Sequence, residues 1–351
     1  MNAPFPLAGE TLRLADLRQP DEAARIEGFV AEQGGAVFHR PAWLRAIEQG
    51  AGQRALGLVA EKRGGLTGWL PLSEVHSPIF GRALVSSGFA VGGGILAEKA
   101  TAAKLTCAAQ ELALRHGCTT IELRGGPAPR HWDIRTNSHC GFEADLAMDD
   151  EAQLLAIPRK QRAEVRKGLD SDLTVHVGAA AEDRTAHYGV YAESVRNLGT
   201  PVFPKELFAA VLDTLDADIL TVRHQGRPVA SVLSLYHAGA VLPYWGGGTF
   251  AARSLRANDR MYYELMLHAR RRGCTSFDFG RSKTESGPYH FKRNWGFEPR
   301  PLAYASWTAP GAEKRDADPT SARHAARIAL WRQLPLAVAN RLGPIIARGL
   351  G

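Results

Sequence analysis

Close to residue 280 the chain gathers charged and aromatic side chains into two short runs, Asp278-Phe279-Gly280-Arg281-Ser282 and Phe291-Lys292-Arg293-Asn294-Trp295-Gly296. Lys292 is the first candidate for chemistry. An ammonium beside a nascent negative oxygen in a dry cleft stabilises that charge more than it stabilises the ground state. The competing assignment is a lysine whose stem covers Phe291 or Trp295. Asp278 stands where a strand should end beside Gly280; a carboxylate there can take a proton from an acceptor or orient Arg281. Pairing with Arg281 to shape the turn is the alternative. Asp278-Phe279-Gly280 also spells the metal-binding triplet of kinases, yet no glycine-rich loop, strand lysine or HRD segment precedes it, so that assignment fails. The sequence has no GxSxG, HExxH, Walker loop or dinucleotide fingerprint, which leaves hydrolases, metalloproteases, NTPases and dehydrogenases without support.

A second group of charges lies at Pro158 to Gly168. Proline at the first turn and glycine at the exit frame a short helix. At 100° per residue Arg159, Arg162 and Arg166 share one face, with Lys160 beside them. Guanidinium forks suit phosphate oxygens, so a diphosphate-linked acceptor or a tRNA backbone can lie along this row; a solvated basic face is the alternative. Tyr244 and Trp245 precede the run Gly246-Gly247-Gly248, where they line a groove or pack in a core.

The elements that must position these residues come in two copies. Gly92-Gly93-Gly94 recurs as Gly246-Gly247-Gly248, Gly117-Cys118-Thr119 as Gly273-Cys274-Thr275, and Gly141-Phe142-Glu143 as Gly296-Phe297-Glu298, at offsets of 154, 156 and 155 by subtraction. Upstream landmarks, Val37-Phe38 against Val202-Phe203 and Leu58 to Val75 against Leu220 to His237, lie further apart. The first copy therefore carries roughly eight extra residues around Ser77 to Ser87. In the second copy a helix over Phe203 to Leu215 leads to strands at Ile219 to Arg223, Val229 to Tyr236 and Val241 to Trp245, with turns at Gln225-Gly226 and His237 to Gly239. A helix over Ala257 to Arg272 and a short strand at Phe277 to Phe279 follow. The expectation is an α/β fold with mixed sheets, in domains 1–155 and 156–312, and a linker and basic tail over 313–351. The first copy has Glu122-Leu123-Arg124-Gly125 and Ser138-His139-Cys140 where the second has its candidate site. It is expected to wall the cleft and recognise the acceptor.

With 351 residues, 45% apolar and 23% charged, the chain can build two ordinary cores. No apolar run is long enough to span a membrane and Met1 to Glu10 does not read as a signal peptide, so a cytoplasmic location, peripheral to the inner membrane, is expected. The four cysteines form no CxxC pair, and no metal site is expected. The formal charge of +7 favours anionic partners. Ser321 to Gly351 holds five arginines (Arg323, Arg327, Arg332, Arg341, Arg348) and no acid, interleaved with apolar residues. Such a segment lies on an anionic membrane or docks on the domains. Asp316 to Pro319 is the expected linker.

The order meander, helix, strand is that of the GNAT acetyltransferase fold. The runs at Asp278 to Ser282 and Phe291 to Gly296, with the basic stretch Pro158 to Lys167, resemble the FemAB group of peptidyl and aminoacyl transferases and its BioF-like acetyltransferase relatives. The resemblance covers roughly Phe38 to Trp307 and points to FemAB-related proteins that accompany PEP-CTERM and exosortase exopolysaccharide systems. It implies tandem GNAT-like domains, an acyl or aminoacyl donor, and an amine or hydroxyl acceptor on a cell-envelope precursor. It also implies that Phe291-Lys292 corresponds to a Phe-Lys pair at the reaction centre, making Lys292 and Asp278 the catalytic candidates. Arg159, Lys160, Arg162, Arg166, Tyr244, Trp245, Arg281 and Phe291 are then the binding candidates. Two departures bear on the donor: the family's long coiled-coil insertion is absent, and Thr249 to Arg256 lacks the glycine-rich signature that holds the pyrophosphate of coenzyme A. The co-substrate is thus acyl-CoA or aminoacyl-tRNA, and the partners are an anionic small molecule or lipid-linked glycan precursor and tRNA, without DNA. A GNAT-type acyl-CoA transferase acting on a small amine, and a non-catalytic binder of an anionic glycan precursor or RNA, are the competing functions.

Overall fold

A computed structural model describes residues 9–315 and 325–350. The first half runs β1 (Thr11–Leu14), α1 (Pro20–Glu32), α2 (Pro41–Ala51), β2 (Arg54–Lys62), β3 (Gly65–Ser77), β4 (Gly81–Val85), β5 (Leu96–Ala97), α3 (Lys99–Arg115), β6 (Thr120–Arg124), β7 (Asp133–Arg135) and β8 (His139–Asp145). After it come α4 (Asp150–Ala156), α5 (Arg159–Asp170), β9 (Leu173–Gly178), α6 (Ala181–Leu198), α7 (Lys205–Thr214), β10 (Ala217–His224), β11 (Arg227–His237), β12 (Ala240–Gly248) and α8 (Ala257–Arg271). The chain ends with β13 (Ser276–Lys283), α9 (Gly287–Asn294), β14 (Pro299–Pro301), β15 (Tyr304–Thr308), α10 (Ala325–Gln333) and α11 (Leu336–Ala347). The expected linker, Asp316 to Pro319, and Arg323 lie outside the described residues, as does the side chain of Arg327.

The strands build two mixed sheets, ordered β1-β2-β3-β4-β6-β15-β7, with β5 against β3, and β14-β8-β13-β12-β11-β10-β9. Each holds one parallel pair, β4 with β6 and β12 with β13. Parallel neighbours need a crossover, which α3 and α8 supply in turn. The hairpin turns follow from their residues: Gln225-Gly226 and Ala238-Gly239 both have two consecutive positive φ values, 50° and 77°, 48° and 78°. That is the twist a two-residue hairpin loop requires. One face of α8 buries Met261, Leu265, Met266 and Ala269 in the same core as Val232, Val241 and Phe277.

Two compact units result, one of Met1–Arg135, Ala303–Ala317 and Arg348–Gly351, the other of Thr136–Leu302 and Asp318–Ala347. The sequence reading draws its boundary after residue 155; contacts divide the chain earlier because the last strand of each copy sits in the other copy's sheet. β8 pairs with β13 from Ser276↔Asp145 to Lys283↔His139. β15 pairs with β6 from Tyr304↔Arg124 to Thr308↔Thr120. The helix expected at Pro158 to Gly168 is α5, but Gly168 does not end it. A Cβ at Gly168 would come within 2.9 Å of the Arg256 carbonyl, so the glycine serves a close crossing with the start of α8. The strand expected at Phe277 to Phe279 extends to Lys283, and the second glycine run belongs to β12.

Candidate active site

β12 and β13 share only two register pairs, Ala240↔Ser276 and Val241↔Phe277, although both strands run on well past them. On its other edge β13 pairs with β8 through Asp278↔Glu143 and then shifts, so that Arg281 faces Gly141. Three steps on one strand against two on its neighbour make a β-bulge, a device that bends a strand and re-aims its side chains. Gly280 occupies it at φ +70°, where a Cβ would be strained. By register Asp278, Arg281 and Glu143 fall on one face of the sheet, while Phe277, Ser282 and Phe142 fall on the other.

Lys292 reaches this bulge from α9. Ser286 caps that helix, accepting from the Tyr289 N–H at 3.4 Å, and Pro288 occupies its first turn. The Lys292 side chain is buried, with 8% exposure. Its Nζ donates to the carbonyls of Gly280 at 3.1 Å and Arg281 at 2.9 Å, and lies 5.4 Å from the ring centroids of both Phe142 and Phe279. Burial pulls its pKa down to about 7, against the pull of Asp278 and with the help of Arg281. Ammonium and free amine are therefore both populated at neutral pH. Two of the three ammonium protons are engaged by the bulge, which leaves one for a ligand.

Asp278 shifts the other way. Burial raises its pKa, the Gly280 N–H donating at 2.9 Å resists the rise, Glu143 across the strand pair adds to it, and Lys292 opposes it. A carboxyl pushed up and an amine pulled down thus stand beside an interrupted sheet edge, the pattern that acid–base sites share. Arg281 is half-buried within the bulge itself.

The remaining candidates separate into groups. On α5, Arg159, Arg162 and Arg166 line a groove of about 420 Å³ with Leu155, Ala163, Lys167 and Asp170. A second groove of about 720 Å³ joins Arg159, Lys160 and Gln161 to Arg293 and Asn294 of α9, so it begins one residue from Lys292. Among the described residues no carboxylate pairs with Arg159, Lys160 or Arg166, whereas Lys167 pairs with Glu164 at 2.8 Å. Phe291 packs at 6.1 Å from Phe279, 5.7 Å from Tyr262 and 6.2 Å from Trp295. Trp245 is buried against Phe208 at 5.0 Å and Tyr244 at 4.9 Å. Packing is the role these surroundings give Phe291 and Trp245; Tyr244 stays half-buried.

Glu143, opposite Asp278 in the strand pair, is a neighbour of the candidate site that the sequence does not single out. Its signal was present in the repeat of Gly141-Phe142-Glu143, but the repeat gives position within a copy and not the sheet a strand joins. Among the described residues no group of His, Cys, Asp or Glu could hold a metal ion, and the four cysteines are free thiols.

Residues 158–293 match the family described as Acetyltransferase (GNAT) domain, a span from the cap of α5 to just past Lys292 that covers less than half of the chain. No curated protein matches the chain. Among solved structures, FemX is similar with a TM-score of 0.62 at 14% identity, covering 81% of this chain and 95% of that one. A tandem GNAT protein from the clavulanic acid biosynthesis pathway is similar with a TM-score of 0.59 at 12% identity, over 87% and 100% of the two chains. The C-terminal domain of a putative lysylphosphatidylglycerol synthetase from Agrobacterium fabrum reaches 0.55 at 14% identity, over 82% and 91%. Identities this low speak to fold alone. The segment around the bulge thus matches the model of the GNAT acetyltransferase domain, and the chain as a whole has the fold of two GNAT-like units in tandem.

Proposed function

We propose that the protein transfers an acyl or aminoacyl group to an amine or hydroxyl of an anionic cell-envelope precursor, an exopolysaccharide or peptidoglycan intermediate, on the cytoplasmic side. The observation that carries this reading is the buried Lys292 ammonium, held by two bulge carbonyls within electrostatic reach of Asp278. In this account the Asp278 carboxylate accepts the proton of the acceptor's N–H or O–H as the nucleophile attacks the donor carbonyl. The third N–H of Lys292 donates to the oxyanion that forms. Collapse expels the donor's thiolate or ribose oxygen, which takes the proton back from Asp278. Arg159, Lys160, Arg162 and Arg166 hold phosphates of donor or acceptor in the two grooves along α5.

GNAT acetyltransferases draw their acyl group from acyl-CoA. Where such enzymes cradle the pyrophosphate, this chain has Thr249 to Arg256, and acids already stand there. The Phe250 N–H donates to the Glu193 carboxylate at 3.0 Å, and Asp259 occupies the first turn of α8. Anionic groups at a helix N-terminus compete with a bound phosphate for the same partial positive charge. This supports a donor whose phosphates rest on α5, as a tRNA backbone would.

Isothermal titration with coenzyme A and with aminoacyl-tRNA separates the donors, and acyl transfer by Lys292→Gln and Asp278→Asn tests the site. Transfer lost in both variants is the expected result. Transfer intact in both would take the chemistry away from Lys292 and Asp278, and a parent protein that binds an anionic precursor but transfers from neither donor would be a binding protein.

A further inference from the structure

α11 buries small residues fully and leaves three large apolar ones exposed. At 100° per residue Ala339, Gly343 and Ala347 share one face, and all three are buried. Gly343 lies against Val202, where an added Cβ would come within 2.8 Å of the valine side chain and 2.9 Å of its backbone nitrogen. Val338, Leu342 and Ile345 fall within about 60° of one another on the opposite side. Their exposures are 40%, 43% and 70%. Leu330 of α10 is 65% exposed, and so is 57% of Leu198, whose carbonyl accepts from Arg332 Nη2 at 3.2 Å. A surface helix ordinarily buries its larger apolar residues, because the gain scales with apolar area. Here Ala339, Gly343 and Ala347 are the fully buried residues of the helix, with Leu336 and Ile346 half-buried beside them, while Val338, Leu342 and Ile345 are left exposed.

The segment's own charges have one sign. Arg332 and Arg341 are exposed, Arg196 Nη1 donates to the Arg332 carbonyl at 3.2 Å, and the sequence from Ser321 to Gly351 contains no acid. A second copy of the chain docking here by a two-fold contact would bring Arg332 and Arg341 of both copies into one interface with no acid of this segment to offset them. Among the described residues no helix is long and apolar enough to cross a membrane.

We infer that the outer face of α10 and α11 docks on an anionic lipid surface: the ridge Val338-Leu342-Ile345, with Leu330, enters the acyl boundary while Arg332 and Arg341 meet headgroup phosphates. The inference does not depend on the chemistry proposed at β13. Flotation of the full chain with vesicles of phosphatidylglycerol and phosphatidylcholine, against vesicles of phosphatidylcholine alone, tests it. The chain is expected to float with the anionic vesicles only. The double variant L342E/I345E should bind at least about tenfold more weakly, and Arg341→Glu about fivefold more weakly at low salt. All these side chains are exposed, so unchanged thermal melts are expected and separate lost docking from lost folding. A chain that stays soluble beside anionic vesicles, or a double variant that floats like the parent, overturns the proposal. So does a dimer in light scattering that the double variant dissolves, because the ridge would then belong to a second copy.

Discussion

The two parallel strand pairs of this molecule have the same ancestry in the repeat and opposite fates. In the first unit the ladder of β4 and β6 runs through Ala83↔Thr120, Leu84↔Ile121 and Val85↔Glu122 and is then stitched onward. The Ser86 N–H donates to the Glu122 carbonyl at 2.8 Å, and the Arg124 N–H donates to Ser86 Oγ at 2.7 Å. The buried Arg124 guanidinium reaches the carbonyls of Ser87 at 3.2 Å and Ala90 at 2.9 Å. Backbone fills what space remains, since a Cβ at Gly94 would fall 1.8 Å from the Gly125 carbonyl. A loop after Val85, with positive φ at Ser87 and Phe89, thus closes the seam. In the second unit the ladder stops after two pairs, the bulge follows, and a lysine takes the bulge carbonyls. Duplication kept the scaffold twice and left one strand junction open. The open one holds Asp278 and Lys292, whose pKa values burial shifts in opposite directions.

Asp278 carries the largest expected effect. Asp278→Asn keeps the size of the side chain and removes the base, so transfer should fall by about a hundredfold or more in steady-state assays. Next comes Lys292→Gln, expected to cost about a hundredfold in kcat with little change in KM, since the lost N–H acts only in the transition state. The pH profile sharpens both. Activity should rise as Asp278 deprotonates on the acid side and fall as pH passes about 7, where Lys292 loses its proton. The alkaline limb should vanish in Lys292→Gln.

Stability offers the smaller effects. The folded pKa of Lys292, about 7, lies below its ordinary value of 10.5. The unfolded chain therefore binds the extra proton between those values, and this residue's contribution to stability grows as pH rises through that window. Urea melts of the parent and Lys292→Met across that range should differ in slope accordingly. Arg124→Met should cost about 1 to 3 kcal/mol, because two buried carbonyls lose their donor, and leave transfer untouched. A transfer defect in Arg124→Met without a loss of stability would place chemistry in the closed junction and undo the contrast.

Much of this was readable from short-range signals. The turns at Gln225-Gly226 and Ala238-Gly239, the helix α8 and the row of arginines on α5 depend on neighbours within a few residues, and each formed where its pattern lies. The sequence predicts an end to β13 at Phe279 because Gly273 and Gly280 punctuate the short strand on either side. A bulge lets a strand continue through such residues, and neither composition nor spacing announces it. The exchange of β8 and β15 was likewise hidden, since pairing partners more than a hundred residues apart leave no periodicity. Lys292 stood out by type and by resemblance, but its burial and its two carbonyl partners came only from the packing of α9 on β13.

The central claim is that the open junction holds Lys292 in a state unlike an ordinary surface lysine. Titration of the Lys292 side chain by NMR, with selectively labelled lysine and Lys292→Arg to assign the signal, reads this directly. A midpoint near 7 is the result expected from its burial against the bulge. A midpoint at the ordinary 10.5 would mean a solvated ammonium, and the site described at β13 would not exist.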